Sequence, residues 1–237
     1  MFAPGCRPTA NDLRLFSAAT GQFSLTLDPA PGSPDEPAWV ELLANGLTFD
    51  CGGIMPGPAE PLPDRAHSFA LAPAVDFSAA ETVTVVPGPH LSVGAAMFPV
   101  VRALAWLGAM LAGMPGVEAV VWHGANSYNA PEHFRTGVLR WIAGGVFPGL
   151  GLTALVRTTD HGLASEGLAL FAGQEIVLAP ELALDRAEGA KLALRLMHWL
   201  VENGGIAGAS GLTGPSGEPL LLEPQPNQHI IKVSRGL

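Results

Sequence analysis

The sequence predicts an α+β protein whose mixed, mainly antiparallel sheets carry helices packed on one face. Three observations lead there. Short apolar runs such as "FSLTLD" and "GLTALVRTT" have the composition and alternation of strands, two longer stretches repeat with the helical period, and Gly- and Pro-rich punctuation separates them. Both halves read as helix, strand, hairpin, helix, strand. That order suggests a duplicated unit, about 20–125 and 130–237, within a single α+β domain spanning 1–237.

Taken in order, "FSLTLD" (23–28) alternates as a strand and runs into the proline-studded loop "PAPGSPDEP" (29–37). "EPAWVELLAN" (36–45) reads as a short helix stopped by Asn45-Gly46, and "LTFDCGGIM" (47–55) as a strand entering a second loop, "PGPAEPLPD" (56–64). In "ETVTVVPGPHLSVGAAM" (81–97), Pro87-Gly88-Pro89 divides two apolar runs and predicts a hairpin. The apolar stretch 93–114 imitates a membrane span, but its helix is expected only from Pro99 to near Gly113, with Arg102 inside it, too short for the roughly 20 residues a span requires. A core helix is expected instead.

"VEAVVW" (117–122) reads as a buried strand, and "HFRTGVLRWIAGG" (133–145) as a helix with Phe134, Val138, Trp141 and Ile142 on one face. After the strand "GLTALVRTT" (151–159), "EGLALFAGQEIVLAP" (166–180) predicts a hairpin turning at Ala172-Gly173. The segment 181–205 is a long helix with a polar stripe of Glu188, Lys191, Arg195, His198 and Glu202 opposite Leu192, Leu196, Trp199 and Leu200. Two short strands around a proline-rich turn close the pattern in 218–237.

Composition excludes several classes. Charged residues make up only 14% of the 237 residues, with two lysines, so the surface is unusually apolar and a homo-oligomer is expected. The net charge of −9 and the lack of any basic cluster argue against nucleic acid. Cys6 and Cys51 form no ligand spacing and no disulfide framework, which fits a reducing cytoplasm, and the N-terminal residues lack a secretory pattern. No membrane association is expected.

The succession "GGIMPGP", then "GPHLSV" leading to an apolar helix, "AVVWHGAN", and "GLALFAGQEIVL" leading to an amphipathic helix resembles the bacterial domain-of-unknown-function family 4261. The likeness runs from about Cys51 to Arg235. It implies a methionine-proline turn after an early strand, a strand histidine at His90, an aromatic strand ending near Trp122, and a turn at Phe171 and Gly173 followed by the acidic Glu175. With no activity assigned to that family, it implies a fold and no mechanism.

Chemistry-bearing residues concentrate in two places. "AVVWHGANSYNAPEHF" (119–134) reads as strand, loop and helix start, with Asn129 and Glu132 as a reciprocal cap around Pro131. The same stretch puts Trp122, His123, Asn126, Tyr128 and His133 where a strand's carboxyl end meets a helix N-terminus, a place suited to a small acidic ligand. "RTTDHG" (157–162) sets Asp160 beside His161; it reads as a polar hairpin loop, and a working Asp–His pair would need a turn, which Gly162 permits. His90 reads as a satisfied core histidine, and His67, His198 and His229 as peripheral. HExxH, GxSxG, Walker A and GxGxxG motifs are missing, so no cofactor is expected. The expected function is therefore a non-enzymatic binding or protein-interaction domain, with a small acidic ligand or a protein as partner. The alternative is a hydrolase or metal-dependent enzyme using His123, His133, Asp160 and His161.

Overall fold

Thr9 starts the first helix. Its hydroxyl accepts the Asp12 N–H while the Asp12 carboxylate accepts the Thr9 N–H, a reciprocal box that launches α1 (Ala10–Thr20). In the computed structural model, residues 1–29, 38–72, 75–226 and 229–236 are described. They form two units, Met1–Gly144 and Gly145–Leu237. Most of the loop expected at 29–37 lies outside the described residues.

In the first unit, β1 (Ser24–Leu27), β2 (Ala38–Ala44), β3 (Leu47–Ile54) and, after the short β4 (His67–Phe69), β5 (Thr84–Pro87) supply a four-stranded antiparallel sheet in the order β1-β2-β3-β5. The helix expected over 36–45 is therefore corrected to a strand. Burial alternates along it, with Ala38, Val40, Leu42 and Ala44 inside. Asn45 and Gly46 do not end a helix. Both have positive φ, 52° and 77°, as a two-residue type I′ hairpin turn requires, and they join Ala44 to its partner Leu47.

The hairpin expected over 81–97 is also corrected. Only its first arm is a strand, because Gly88 bonds back to Thr48 and Pro89 opens a 3-10 turn over Pro89–Gly94. Beyond that turn, α2 (Phe98–Leu111) lays Val100, Ala103 and Leu107 into the core formed with Leu13, Leu42, Phe49 and Cys51. No helix among the described residues is long and apolar enough to cross a membrane. The strands β6 (Val120–Trp122) and β7 (Ser127–Asn129) form a small sheet in the order β4-β7-β6, with β4 and β7 parallel, and α3 (Pro131–Ile142) packs against α2.

The second unit opens with an irregular turn, α4 (Gly149–Leu152), and the antiparallel strands β8 (Ala154–Arg157) and β9 (Leu163–Glu166). Here the hairpin expected over 166–180 is corrected: its first arm is a helical turn, α5 (Ala169–Ala172), and the strand that pairs with β10 (Glu175–Leu178) is the upstream β9. Asp185 then caps α6 (Arg186–Asn203), which buries Leu192, Leu196, Met197 and Leu200 and packs on β9 and β10. The strands β11 (Ser210–Thr213), β12 (Pro219–Pro224) and β13 (Ile230–Arg235) complete a six-stranded sheet, β11-β12-β13-β10-β9-β8, in which only β10 and β13 run parallel. Both units are thus α+β, with sheets that are mixed and mainly antiparallel.

Candidate functional site

Alternation along β2 and β3 decides which side chains the first sheet presents. With Val40, Leu42, Phe49 and Cys51 turned to the core, Trp39, Glu41, Leu43, Thr48 and Asp50 emerge half-buried on the opposite face. Register sets the carboxylates of Glu41 and Asp50 directly across from each other. Leu27, opposite Glu41, and Val86, opposite Asp50, flank them at 49% and 50% exposure. Thr26 donates its hydroxyl to Glu41 Oε1 at 2.6 Å, and Thr48 Oγ1 lies 2.9 Å from His90 Nε2. Glu60 reaches over Gly52, its Oε1 3.1 Å from where a Cβ would stand. His90 is thus an exposed, hydrogen-bonded residue beside this face rather than a core histidine.

No Arg or Lys among the described residues forms an ion pair with Glu41, Asp50 or Glu60. Asp50 Oδ1 is buried and accepts no hydrogen bond from a described group. Burial, and then the Glu41 carboxylate opposite, push the Asp50 pKa above its ordinary 3.8, with His90 pulling the other way. A folded-state pKa above the unfolded one means that the protonated acid favours the fold. That contribution is whole below 3.8 and is lost as pH rises through the folded value. Replacing Asp50 by Asn should therefore stabilise the protein by about 0.5 kcal/mol at neutral pH, the scale of a like-charge cross-strand pair. The gain should shrink toward the ordinary carboxylate pKa, which urea denaturation across that range would measure.

At one end of the same unit Arg7 clasps the methionine-proline turn. Its Nη1 donates to the carbonyls of Gly53 (2.7 Å) and Gly57 (2.9 Å), Nη2 lies 3.3 Å from Met55 Sδ, and Nε is 3.5 Å from Glu81 Oε1. The Arg7 side chain is only 7% exposed, and Glu81 also accepts the Gly5 N–H at 2.8 Å. This is a buried cation serving backbone carbonyls.

The stretch 119–134 divides between core and surface. Trp122 is buried with its ring 6.3 Å from that of Phe134. Tyr128 is buried against Phe77, donates its hydroxyl to Pro63 at 2.7 Å, and has the Arg65 guanidinium 5.7 Å from its ring centre; burial pushes its phenol pKa up. His123 and Asn126 stand exposed on the turn between β6 and β7, where Asn126 has φ 45° and its carbonyl accepts the Ala66 and His67 N–H groups. His133 is exposed on α3.

The cap expected at Asn129 is corrected. Asn129 is a fully buried residue of β7 whose amide lies 3.2 Å from Ser127 Oγ, and Ala130 precedes α3 without a side-chain cap. Glu132 sits in the first turn of α3, accepts the Thr136 hydroxyl, and places negative charge where an acidic ligand was expected.

Asp160 and His161 belong to the second unit, in the turn joining β8 and β9. The Asp160 carboxylate accepts the Thr158 hydroxyl and the Gly162 N–H, which hold its pKa down, while His161 adopts φ 72°. The aspartate thus fixes the turn, as the polar-loop reading has it. In the same unit Glu175 accepts the Ser165 hydroxyl and the N–H groups of Gly167 (2.9 Å), Leu168 (3.2 Å) and Ala169 (2.9 Å). Its carboxylate closes the N-terminal side of α5.

Among the described residues, no group of three or more His, Cys, Asp or Glu side chains is placed to hold a metal ion. Fold and candidate site together define an α+β protein with an acidic, partly apolar sheet face. Comparison with protein-family models, curated proteins and solved structures gives no match.

Proposed function

We propose that the chain is a cytoplasmic, non-enzymatic binding or protein-interaction domain that works by presenting surface and self-associates. The resemblance to the bacterial family 4261 belongs to this reading and adds no activity to it. The observation that carries it is the outer face of the sheet β1-β2-β3-β5, where Glu41 and Asp50 face each other, neither ion-paired to an Arg or Lys of the described residues, among Leu27, Trp39 and Val86. A basic segment with interspersed apolar side chains complements that face in charge and in hydrophobicity.

The test uses a short peptide of alternating arginine and leucine, followed by fluorescence anisotropy and by hydrogen exchange along β2 and β3. The Glu41→Gln/Asp50→Asn double variant is expected to weaken binding at least about tenfold, or about 1.4 kcal/mol. A double variant that binds as tightly as the parent, or a glutamate-leucine peptide that binds equally well, would sink the assignment of this face.

A further inference from the structure

We propose that β11 (Ser210–Thr213) is the seam between two copies of this chain, pairing antiparallel with the same strand of a second copy across a two-fold axis and running their six-stranded sheets into one. This rests on the self-association proposed above and names its interface.

An edge strand offers unpaired N–H and C=O groups, and proteins guard such edges with charge, proline, bulges or brevity. Every other sheet edge among the described residues carries a guard. β8 ends in Arg157, β1 has a register irregularity and the Arg14–Asp28 pair beside it, β5 stops at Pro87, and β4 and β6 are three residues long. β11, four residues long, has no charge, proline or bulge. No charged residue occurs from Asn203 to Gly217, and its register with β12 is unbroken from Ser210↔Leu222 to Thr213↔Pro219. On the far side, no backbone hydrogen bond joins β11 to any described residue, and Gly211 and Thr213 are exposed.

The parity of the ladder says which groups are on offer. Gly214 donates its N–H to the Glu218 carbonyl at 2.7 Å, and Pro219, opposite Thr213, has no N–H to give. Backbone groups in an antiparallel ladder alternate in direction, so those of Gly211 and Thr213 turn away from β12. A two-fold axis through Leu212 sets Gly211 of each copy against Thr213 of the other, with these outward groups bonded in pairs and Leu212 against Leu212. Such a contact is self-complementary, as a two-fold interface must be. The net charge of −9 works against self-association through charged surface, whereas β11 itself carries no charge.

Light scattering of the full chain tests this, with two variants that spare the β12 ladder. Gly211→Pro deletes an outward N–H, and a Cβ there meets only the Leu220 carbonyl at 3.9 Å. Thr213→Lys adds a charge to the edge. The parent is expected as two copies and both variants as one, with unchanged circular dichroism, and the Gly211 and Thr213 amides should exchange slowly in the parent and fast in Thr213→Lys. Two-copy variants would overturn the seam while leaving self-association standing. A parent that stays single at all concentrations would overturn both.

Discussion

Replacing Arg7 with alanine is expected to lower stability by about 3–5 kcal/mol, because it strands buried polar groups and breaks a largely buried ion pair at once. The Gly53 and Gly57 carbonyls are both in buried residues and both bond to Nη1, so alanine removes a shared donor from each. It also leaves Glu81 without its guanidinium. Lysine retains the charge but lacks the planar fork that reaches carbonyls and carboxylate together, so Arg7→Lys should recover less than half of the loss. Urea denaturation of the three proteins measures the series. An Arg7→Ala protein within about 1 kcal/mol of the parent would mean that water replaces the clasp at little cost.

Glu175→Ala is expected to cost about 2–4 kcal/mol, on the scale of losing several hydrogen bonds to a charged acceptor. Three consecutive N–H groups, from Gly167 to Ala169, converge on one carboxylate at the start of α5, and the Ser165 hydroxyl adds a fourth donor. Glutamine should rescue poorly, since its amide nitrogen would point one donor at others. Hydrogen exchange distinguishes this from a general loss of stability: the amides of 167–169 should lose protection first, ahead of those in β10. If Glu175→Gln matched the parent in both measurements, the carboxylate's charge would be irrelevant to the turn.

Much of this architecture is legible in the sequence, and the misreadings have physical causes. The strand "LTFDCGGIM", the apolar helix α2 and the final strand pair emerge where the pattern predicts them, while the helix expected over 181–205 starts only at Arg186, after a 3-10 turn at Pro180–Leu182 and the Asp185 cap. "AWVELLAN" misleads because Ala, Leu and Glu favour helices, whereas burial alternates with a period of two and Asn45-Gly46 is the pair that suits a type I′ turn. Local preference lost to tertiary packing. With that strand went the pairing of Glu41 with Asp50, which exists only through register across a sheet. The α1 start is marked only by the three-residue spacing of Thr9 and Asp12, and Arg7 gives no local sign, since its partners lie in segments remote along the chain. The polar residues of 119–134 look like one site because they are consecutive; the fold instead buries Tyr128 with the whole of β7, while His123 and Asn126 occupy a surface turn. β11 has no strand signal of its own, because Ser210, Gly211 and Thr213 are small and the strand exists through its pairing with β12.

The placement of β13 has a bearing on how the second unit is made. That strand lies inside its sheet, between β12 and β10, and its parallel pairing with β10 spans all of α6. As the polypeptide leaves the ribosome, the β8–β9–β10 group and the β11–β12 hairpin therefore wait as two separate pieces. Ile230–Arg235 is the strand that joins them in one sheet, so the tertiary order of this unit waits until that strand has followed β12 out.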